Sequence, residues 1–263
     1  MHTVFIFTKQ FFTIKSSIFL LLATLAGSLC LADENKCTQA LSLGWDSWPP
    51  YQYLNADNQL TGLDIALIEA IVKNTDCSLT YEKMPWKRTL NMVELGNIHI
   101  ALGASKTAER EKYAYFTDAY RTEQVVLYVR QGETNDYSIS SLLDIPDLKF
   151  RLGVIDGVYY GELFKKLLNH AEFKKRVHIM RSNSYNAKML ARNRLDGILG
   201  DPIPTIQQLI NLDLTDKIER HSMPAIDTGD IHIMLSKKIA SPKIVELLNK
   251  SIRKLKKNGE IDN

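Results

Sequence analysis

The sequence predicts an α/β protein of two lobes, and three observations support this fold class. Two series of alternating strand and helix patterns, each β-α-β-α-β, begin at Leu41 and at Phe150. Such alternation is typical of parallel sheets covered by helices. A strongly apolar strand pattern at 123–129 stands between the two series and predicts an extended connection. The chain has 263 residues, 45% of them hydrophobic, which is enough for two small lobes.

The elements of the first series follow from apolar spacing and from residues that end helices. Pro49 and Pro50 exclude a helix from the loop at 45–60. Gly96 is a good C-cap for the helix that precedes it. The predicted elements are a strand at 41–44, a helix at 62–72, a strand at 79–83, a helix at 86–95 and a strand at 98–102.

The second series predicts strands at 150–154, 177–180 and 197–200 and helices at 157–168, 183–192 and 202–210. A further strand at 231–235 and a long amphipathic helix at 242–255 follow it. Lysines on the outer face of that helix predict a solvated surface rather than a nucleic-acid patch.

The N-terminal residues 1–32 predict a secretory signal peptide. Lys9 and Lys15 precede an apolar run at 16–29, and the polar residues 33–36 begin directly after Ala32, the expected cleavage site. An uncleaved membrane anchor and a lipoprotein acylated on Cys30 are the two alternatives. We therefore expect export to the periplasm.

Composition excludes several function classes for the exported chain. Without Lys9 and Lys15 the 33 basic residues become 31 against 30 acidic ones, a net charge of +1, so no general attraction to nucleic acid is expected. The six histidines are scattered without metal-ligand spacing, and we expect neither a metal nor another cofactor.

Two cysteines, Cys37 and Cys77, remain in the exported chain. An oxidising compartment favours one disulfide between them, and each precedes a predicted strand by a few residues. In the chain-entropy model such a loop contributes about 4 kcal/mol. Two buried thiols are the alternative.

Polar residues gather where the strand at 98–102 ends. Ser105, Thr107 and Arg110 stand at a strand-to-helix junction, where free backbone N–H groups and a guanidinium suit an anion. A capped surface helix with Arg110 in a salt bridge would give the same pattern.

Seven short motifs follow one another along residues 38–260. They are PPY at 49–51, LTGLD at 60–64, LGNIH at 95–99, SKTAER at 105–110, FTDAY at 116–120, LDGILGD at 195–201 and LKKNGEI at 255–261. In order and spacing they resemble the bacterial extracellular solute-binding proteins of family 3, the amino-acid-binding components of ABC importers. His99 and Ala119 stand where the family usually has an acid and a proline.

The resemblance implies a two-lobed periplasmic-binding-protein fold of type II, in which two parallel or mixed sheets are flanked by helices and joined by a two-strand hinge. Lobe 1 would contain residues 37–125 and 225–263, and lobe 2 residues 126–224. The lobes would close over a small polar ligand, an amino acid or small carboxylate, and deliver it to an ABC permease in the inner membrane. We expect a monomer.

An amino acid needs one site for its carboxylate and one acid for its ammonium. Arg110 can bind a carboxylate through two parallel N–H bonds, and the Ser105 hydroxyl and the N–H groups near Thr107 can complete the site. Asp201 matches the ammonium-binding acid of the family. Its alternative role is the N-cap of the following helix, and both roles are compatible.

Aromatic side chains are expected around the apolar part of the ligand. Trp48 matches the stacking aromatic of the family, with Trp45, Tyr51 and Trp86 near it in motif order. Core packing is the alternative for Tyr51 and Trp86. We also expect Tyr159 to cap the pocket.

Some positions depart from the family or suggest further contacts. Val158 and Tyr159 replace small hydroxyl residues, and Gly103 replaces a frequent Ser or Thr. Asp46 would suit a cationic side chain or form a turn, and Arg88 is a candidate second anion contact.

Two other functions are consistent with the same fold. Exported cyclohexadienyl dehydratases use it, but Glu109, Glu123 and Asp201 form no evident acid–base pair. A ligand-sensing subunit of a membrane receptor is the other alternative.

Overall fold

The computed structural model describes Cys37 and residues 40–261. The predicted signal peptide, with Cys30 and the cleavage site after Ala32, lies outside the described residues. None of the described helices is long and apolar enough to cross a membrane.

Strands and helices alternate along the described chain. The strands are β1 Ala40–Trp45, β2 Tyr53–Leu54, β3 Leu60–Thr61, β4 Ser78–Lys83, β5 Ile100–Ser105, β6 Ala114–Phe116, β7 Arg121–Arg130, β8 Leu152–Ile155, β9 Val177–Met180, β10 Gly197–Gly200, β11 Ile218–Arg220 and β12 Ile226–Ser236. The helices are α1 Leu63–Lys73, α2 Trp86–Leu95, α3 Ala108–Glu111, α4 Gly161–Leu167, α5 Ala171–Lys174, α6 Asn183–Ala191, α7 Pro202–Asn211 and α8 Pro242–Lys257, with a 3-10 turn at Leu142–Asp144.

The main sheet confirms the predicted α/β class with mixed strand directions. Its order is β4-β1-β5-β12-β7-β10-β8-β9, with β6 paired to β12 and β11 to β7. The strands at each end of this order are parallel, as β-α-β connections require. The pairings of β12 with β5 and β7, and of β7 with β10, are antiparallel.

Two long strands, β7 and β12, connect the halves of the sheet. The first half of β7 pairs with β12, and residues 126–129 pair with β10. The strand β12 pairs with β7 first and with β5 further along. Hydrogen bonding is therefore continuous from one series to the other, whereas two separate sheets were expected. The proposed lobe boundaries, 125/126 and 224/225, stay predictions.

Helices cover both faces of each half of the sheet and bury separate apolar clusters. In the first half, α1 and α8 bury one cluster against β1 and β12, and α2 buries a second on the opposite face. In the second half, α4 and α5 bury a cluster around Phe150, and α6 and α7 bury another around Leu190. This packing fixes the strand ends, where the cavity described below lies.

The element predictions agree with the structure most closely where the apolar spacing is long and regular. The helix α2 has the predicted bounds, and Gly96 has φ 81° as a C-cap glycine should. The helix predicted at 157–168 begins only at Gly161, because Gly157 has φ +78° and forms a turn. Elements of two or three residues, such as β2, β3 and β6, were missed because they are too short to show a period, whereas the helix expected after Ser105 is the short α3.

The predicted disulfide between Cys37 and Cys77 is confirmed, with the Cα atoms 4.8 Å apart. The pairing follows from the sheet, because Ala40 of β1 stands opposite Ser78 of β4 in a parallel register. The two cysteines therefore lie beside each other where these strands begin.

Candidate functional site

A cavity at the strand ends is lined by residues of both series. Its empty volume is about 920 Å³, part of which is open solvent. Both loops that follow strands and strand residues themselves form its wall, as is usual for ligand sites in α/β proteins. The charged residues in the lining are Asp46, Arg110, Glu123, Arg181 and Asp201.

Arg110 lies between the two series with its side chain buried. Thr107 caps the short helix α3 by accepting a hydrogen bond from the Arg110 backbone N–H at 3.3 Å. The guanidinium donates from Nη1 to the Ser105 carbonyl oxygen at 2.6 Å and from Nη2 to the Gly157 carbonyl oxygen at 2.8 Å. These two bonds leave three of its five N–H donors for a ligand.

Trp86 forms the wall beside Arg110. Its ring centroid lies 5.7 Å from the Arg110 guanidinium carbon. Its Nε1 donates to the Gly157 carbonyl oxygen at 3.1 Å, so that oxygen accepts from both side chains. Trp86 therefore both packs the helix start and holds Arg110 against the cavity.

The acidic side of the cavity contains Asp201, at the end of β10. Its Oδ1 accepts from the Ile203 backbone N–H at 3.0 Å, so Asp201 is the N-cap of α7. Pro202 at the first helical position fits this arrangement. Burial raises the pKa of the Asp201 carboxyl, against the opposing effects of the Ile203 N–H and of Arg121. The Tyr51 hydroxyl also donates to this carboxylate, which lines the cavity and has acceptor sites left for a ligand.

Glu123 lies in the same wall, on β7, and only 8% of its side chain is exposed. Its Oε2 lies 3.1 Å from Arg121 Nη1. Burial is the main cause that raises the pKa of Glu123 to about 7, and the negative charges of Asp201 and Asp64 act in the same direction. Arg121 lowers it but does not compensate for burial.

Arg121 itself lies behind the wall and is not part of the cavity lining. Its guanidinium carbon lies 4.2 Å from the Tyr51 ring centroid and 5.2 Å from that of Trp48. Its Nε is 3.5 Å from Oδ1 of Asp64, which is buried in the first turn of α1. Burial raises the pKa of Asp64, and the nearby Arg121 opposes that rise.

The cavity brings together six of the nine predicted ligand residues: Ser105, Arg110, Trp48, Trp86, Tyr159 and Asp201. Trp45, Tyr51 and Thr107 are absent from its lining. Trp45 is buried in the core with Lys83 near its ring, and Tyr51 is buried between Trp48 and Arg121. The cavity lining does not include Arg88 either. Direct contact of the nine residues with a ligand stays a prediction.

Sequence reasoning missed the role of Arg121 and considered Glu123 only as an enzymatic acid. A signal was present, because residues two apart in a strand point to the same side. Arg121 and Glu123 in the strand at 121–130 therefore indicate an ion pair. Their link to Asp64 is a contact across 57 or more residues, which the strand pattern alone does not contain.

Comparison with known proteins identifies relatives over most of the chain. Residues 41–263 match the family model described as bacterial extracellular solute-binding proteins, family 3. The putative ABC transporter arginine-binding protein 2 of Escherichia coli K12 is 24% identical over 226 residues, covering 81% of this chain and 83% of that protein. A probable histidine-binding protein of Campylobacter jejuni is 26% identical over 235 residues, covering 87% and 85%.

Solved structures agree on the fold. An ancestral arginine-binding protein bound to arginine superposes with a TM-score of 0.71 at 22% identity, covering 84% of this chain and 93% of the other. An ancestral amino-acid-binding protein, described as a precursor of cyclohexadienyl dehydratase, gives 0.67 at 20% identity, covering 84% and 91%. At these identities the likeness extends to the fold alone.

Proposed function

This chain belongs to the bacterial extracellular solute-binding proteins of family 3, and from that premise we propose that it is a periplasmic receptor for an amino acid. The observation that carries the proposal is the pairing of charges in one cavity. A guanidinium, Arg110, and a carboxylate, Asp201, line the same space from different series. A free amino acid presents the complementary carboxylate and ammonium.

Arg110 binds the ligand carboxylate with its three remaining N–H donors, and Ser105 lies beside it in the cavity. Asp201 accepts from the ammonium in addition to the Ile203 N–H and the Tyr51 hydroxyl, since a carboxylate has about four acceptor sites. Trp48 and Trp86 pack against the apolar part of the ligand, and Tyr159 covers it. This receptor makes no covalent bond and needs no cofactor.

A cationic amino acid fits the charge of the cavity best. Three acids, Asp46, Glu123 and Asp201, and two arginines line it, which leaves one negative charge when all are ionised. A zwitterion leaves that charge in place, whereas an arginine or a protonated histidine neutralises it. The names of the two relatives, an arginine-binding and a histidine-binding protein, agree with this ligand class. Asp46 is our candidate for the cationic side chain.

Ligand binding favours a closed form of the two lobes, which an ABC permease in the inner membrane recognises. The Escherichia coli relative is named as an ABC transporter protein, which supports this partner. An exported, monomeric receptor that takes up its ligand in the periplasm is the arrangement we propose.

Calorimetric titration of the exported chain tests the proposal. The protein is refolded to remove carried-over ligand and titrated with each of the twenty amino acids. We expect one saturable site, with arginine or histidine tightest and glutamate absent from the binders. Silence across the whole set would overturn the amino-acid receptor.

A dehydratase is the second candidate, because a carboxyl group with a pKa of about 7 lines the cavity, as a general acid would. Prephenate therefore belongs in the same titration. Heat that continues after saturation, together with loss of prephenate absorbance, would favour the enzyme over the receptor.

A further inference from the structure

The carboxylate of Glu123 has one oxygen that the protein does not use. Its Oε2 bonds to Arg121, but none of the described residues donates to Oε1. The side chain is more than nine-tenths buried and lines the cavity. A ligand that fills the cavity would remove this oxygen from water, so it must supply a hydrogen-bond donor in return. Because Glu123 lines the cavity, this oxygen lies within reach of a bound ligand.

The surroundings of Glu123 fix its position rather than satisfy its second oxygen. Thr228 Oγ1 donates to the Glu123 carbonyl oxygen at 2.9 Å and holds the backbone. Arg121 is itself held between Asp64 and the rings of Tyr51 and Trp48. The guanidinium therefore presents Glu123 to the cavity from behind, without entering the cavity itself.

The same cavity contains a second carboxylate, whose charge acts on Glu123. Asp201 is 9% exposed and lines the same cavity, where it accepts from the Ile203 backbone N–H and the Tyr51 hydroxyl and has acceptor sites left. Two carboxylates against one shared guanidinium leave an excess of negative charge in a partly desolvated space. A protonated amine carries the compensating positive charge and can donate a hydrogen bond to each carboxylate.

We propose that Glu123 and Asp201 together bind the protonated α-amine of the ligand, and that Arg121 is the positioning residue that orients Glu123. This inference rests on the proposed function and deepens it, because it makes Glu123 a determinant of specificity for ligands with a primary ammonium group. An analogue that lacks the amine leaves the excess negative charge of these two carboxylates uncompensated.

Ligand binding at Glu123 should depend on pH. Glu123 has a pKa of about 7 without ligand, so part of the population is protonated near neutral pH. Binding of an ammonium requires the ionised carboxylate and therefore releases protons. The charged and titratable groups that face Glu123 are Arg121 on its own strand and Asp64, Asp201, Tyr51, Arg110 and Tyr160 on the other elements.

The test compares the exported wild-type chain with Glu123→Gln by calorimetry. The probes are L-arginine and L-histidine, their carboxylate-free amines agmatine and histamine, and 5-guanidinopentanoic acid, which is arginine without its α-amine. We expect Glu123→Gln to weaken amino-acid binding at least about tenfold. Affinity for 5-guanidinopentanoic acid, already low, should change little.

Glu133→Gln is the matched control, because Glu133 is also paired with an arginine, Arg130 at 2.7 Å, but is not part of the cavity lining. Circular dichroism checks that all variants fold. If Glu123→Gln does not fold, the wild type alone decides. Its affinity should rise about tenfold from pH 6 to pH 8, and its binding heat should vary with the ionisation enthalpy of the buffer.

Arg121→Gln tests the positioning role by a readout that a merely structural role would not move. Loss of the guanidinium raises the pKa of Glu123, so the pH midpoint of binding should shift upward. An unshifted midpoint in a folded variant would overturn that role.

The outcomes separate this inference from the receptor function. Amino-acid binding that is equal in wild type and Glu123→Gln, without proton release, overturns the role of Glu123 and leaves the receptor. A second outcome is that wild type binds agmatine or histamine, Glu123→Gln does not, and no amino acid binds. That outcome supports the role of Glu123 and overturns the receptor function. If none of the amines binds, both the role of Glu123 and the receptor function are overturned.

Discussion

The Arg110 Nη2 atom donates to the Gly157 carbonyl oxygen at 2.8 Å, which joins helix α3, next after β5, to the loop after β8. Trp86 donates to the same oxygen at 3.1 Å. One carbonyl thus orients the guanidinium before any ligand is bound. A fork that is already oriented loses less conformational entropy when it binds a carboxylate. The contact therefore serves both the closure of the cavity and the proposed anion site.

Replacement of Arg110 tests the carboxylate site. We expect Arg110→Ala to weaken amino-acid binding about 100-fold or more, since charge-assisted hydrogen bonds to a carboxylate together contribute about 3 kcal/mol. The affinity of Arg110→Lys should lie between those of wild type and Arg110→Ala, because lysine keeps the charge but lacks the two parallel N–H donors. Titration calorimetry measures both.

Arg253→Ala is the control for this series. Arg253 forms ion pairs with Asp118 at 2.8 Å and Glu246 at 2.6 Å on the exposed surface, and it is absent from the cavity lining. Its replacement should leave the affinity unchanged. Unchanged affinity in folded Arg110→Ala would show that the carboxylate binds elsewhere.

Gly103 lines the cavity and has a left-handed backbone conformation that other residues adopt only with strain. Its φ is +70°, and a Cβ at this position would lie 3.0 Å from Cζ3 of Trp48. Gly103→Ala should therefore cost about 1–2 kcal/mol of stability from backbone strain alone. It should also move Trp48 and weaken ligand binding.

Urea unfolding and calorimetry on Gly103→Ala check these two effects separately. Gly132→Ala is a matched control, because Gly132 has φ +82° and no neighbour within 4 Å of its Cβ position. It should show the same strain and no change in affinity. Equal affinity of Gly103→Ala and wild type would mean that the ligand does not depend on the position of Trp48.

The disulfide should contribute to stability and not to binding. We expect the double variant Cys37→Ser/Cys77→Ser to lose about 4 kcal/mol of unfolding free energy, the chain-entropy value for a loop of 40 residues. Its ligand affinity should equal that of the wild type, because neither cysteine lines the cavity. Two titratable thiols in the denatured, unreduced, signal-cleaved protein would contradict the bond.

The sequence predicted the framework of the fold better than the interior of the site. The alternation of strands and helices predicted the parallel parts of the sheet, and short motifs placed Arg110 and Asp201 just after strands. In contrast, the contact of Arg121 with Asp64 depends on how β7 packs against α1. Local periodicity does not contain that distance. The continuous pairing of β7 with β12 and β10 was missed for the same reason.

The position of Tyr51 in a sequence motif did not predict its position in the structure. Its place beside Pro49 and Pro50 predicted a ligand contact, with core packing as the alternative. The structure places its ring 4.7 Å from that of Trp48, on the side where Arg121 lies. Tyr51 supports the aromatic that lines the cavity, and its own direct contact with a ligand stays a prediction.

Glu123 should also make the stability of the ligand-free protein depend on pH. Its pKa of about 7 in the folded protein exceeds the value near 4.3 of an unfolded chain. Between these values the folded state binds more protons, so the unfolding free energy decreases as the pH rises from about 4.5 to 7. The full effect is on the order of 3 kcal/mol.

Urea unfolding of wild type and Glu123→Gln at several pH values measures this contribution. The variant should lack this part of the pH dependence, and its stability relative to wild type should increase as the pH rises. Arginine at saturating concentration should abolish this decrease in wild type, because the bound ammonium keeps the carboxylate ionised in the folded state. Parallel pH profiles for the two ligand-free proteins would show that Glu123 ionises in the folded state as readily as in the unfolded chain.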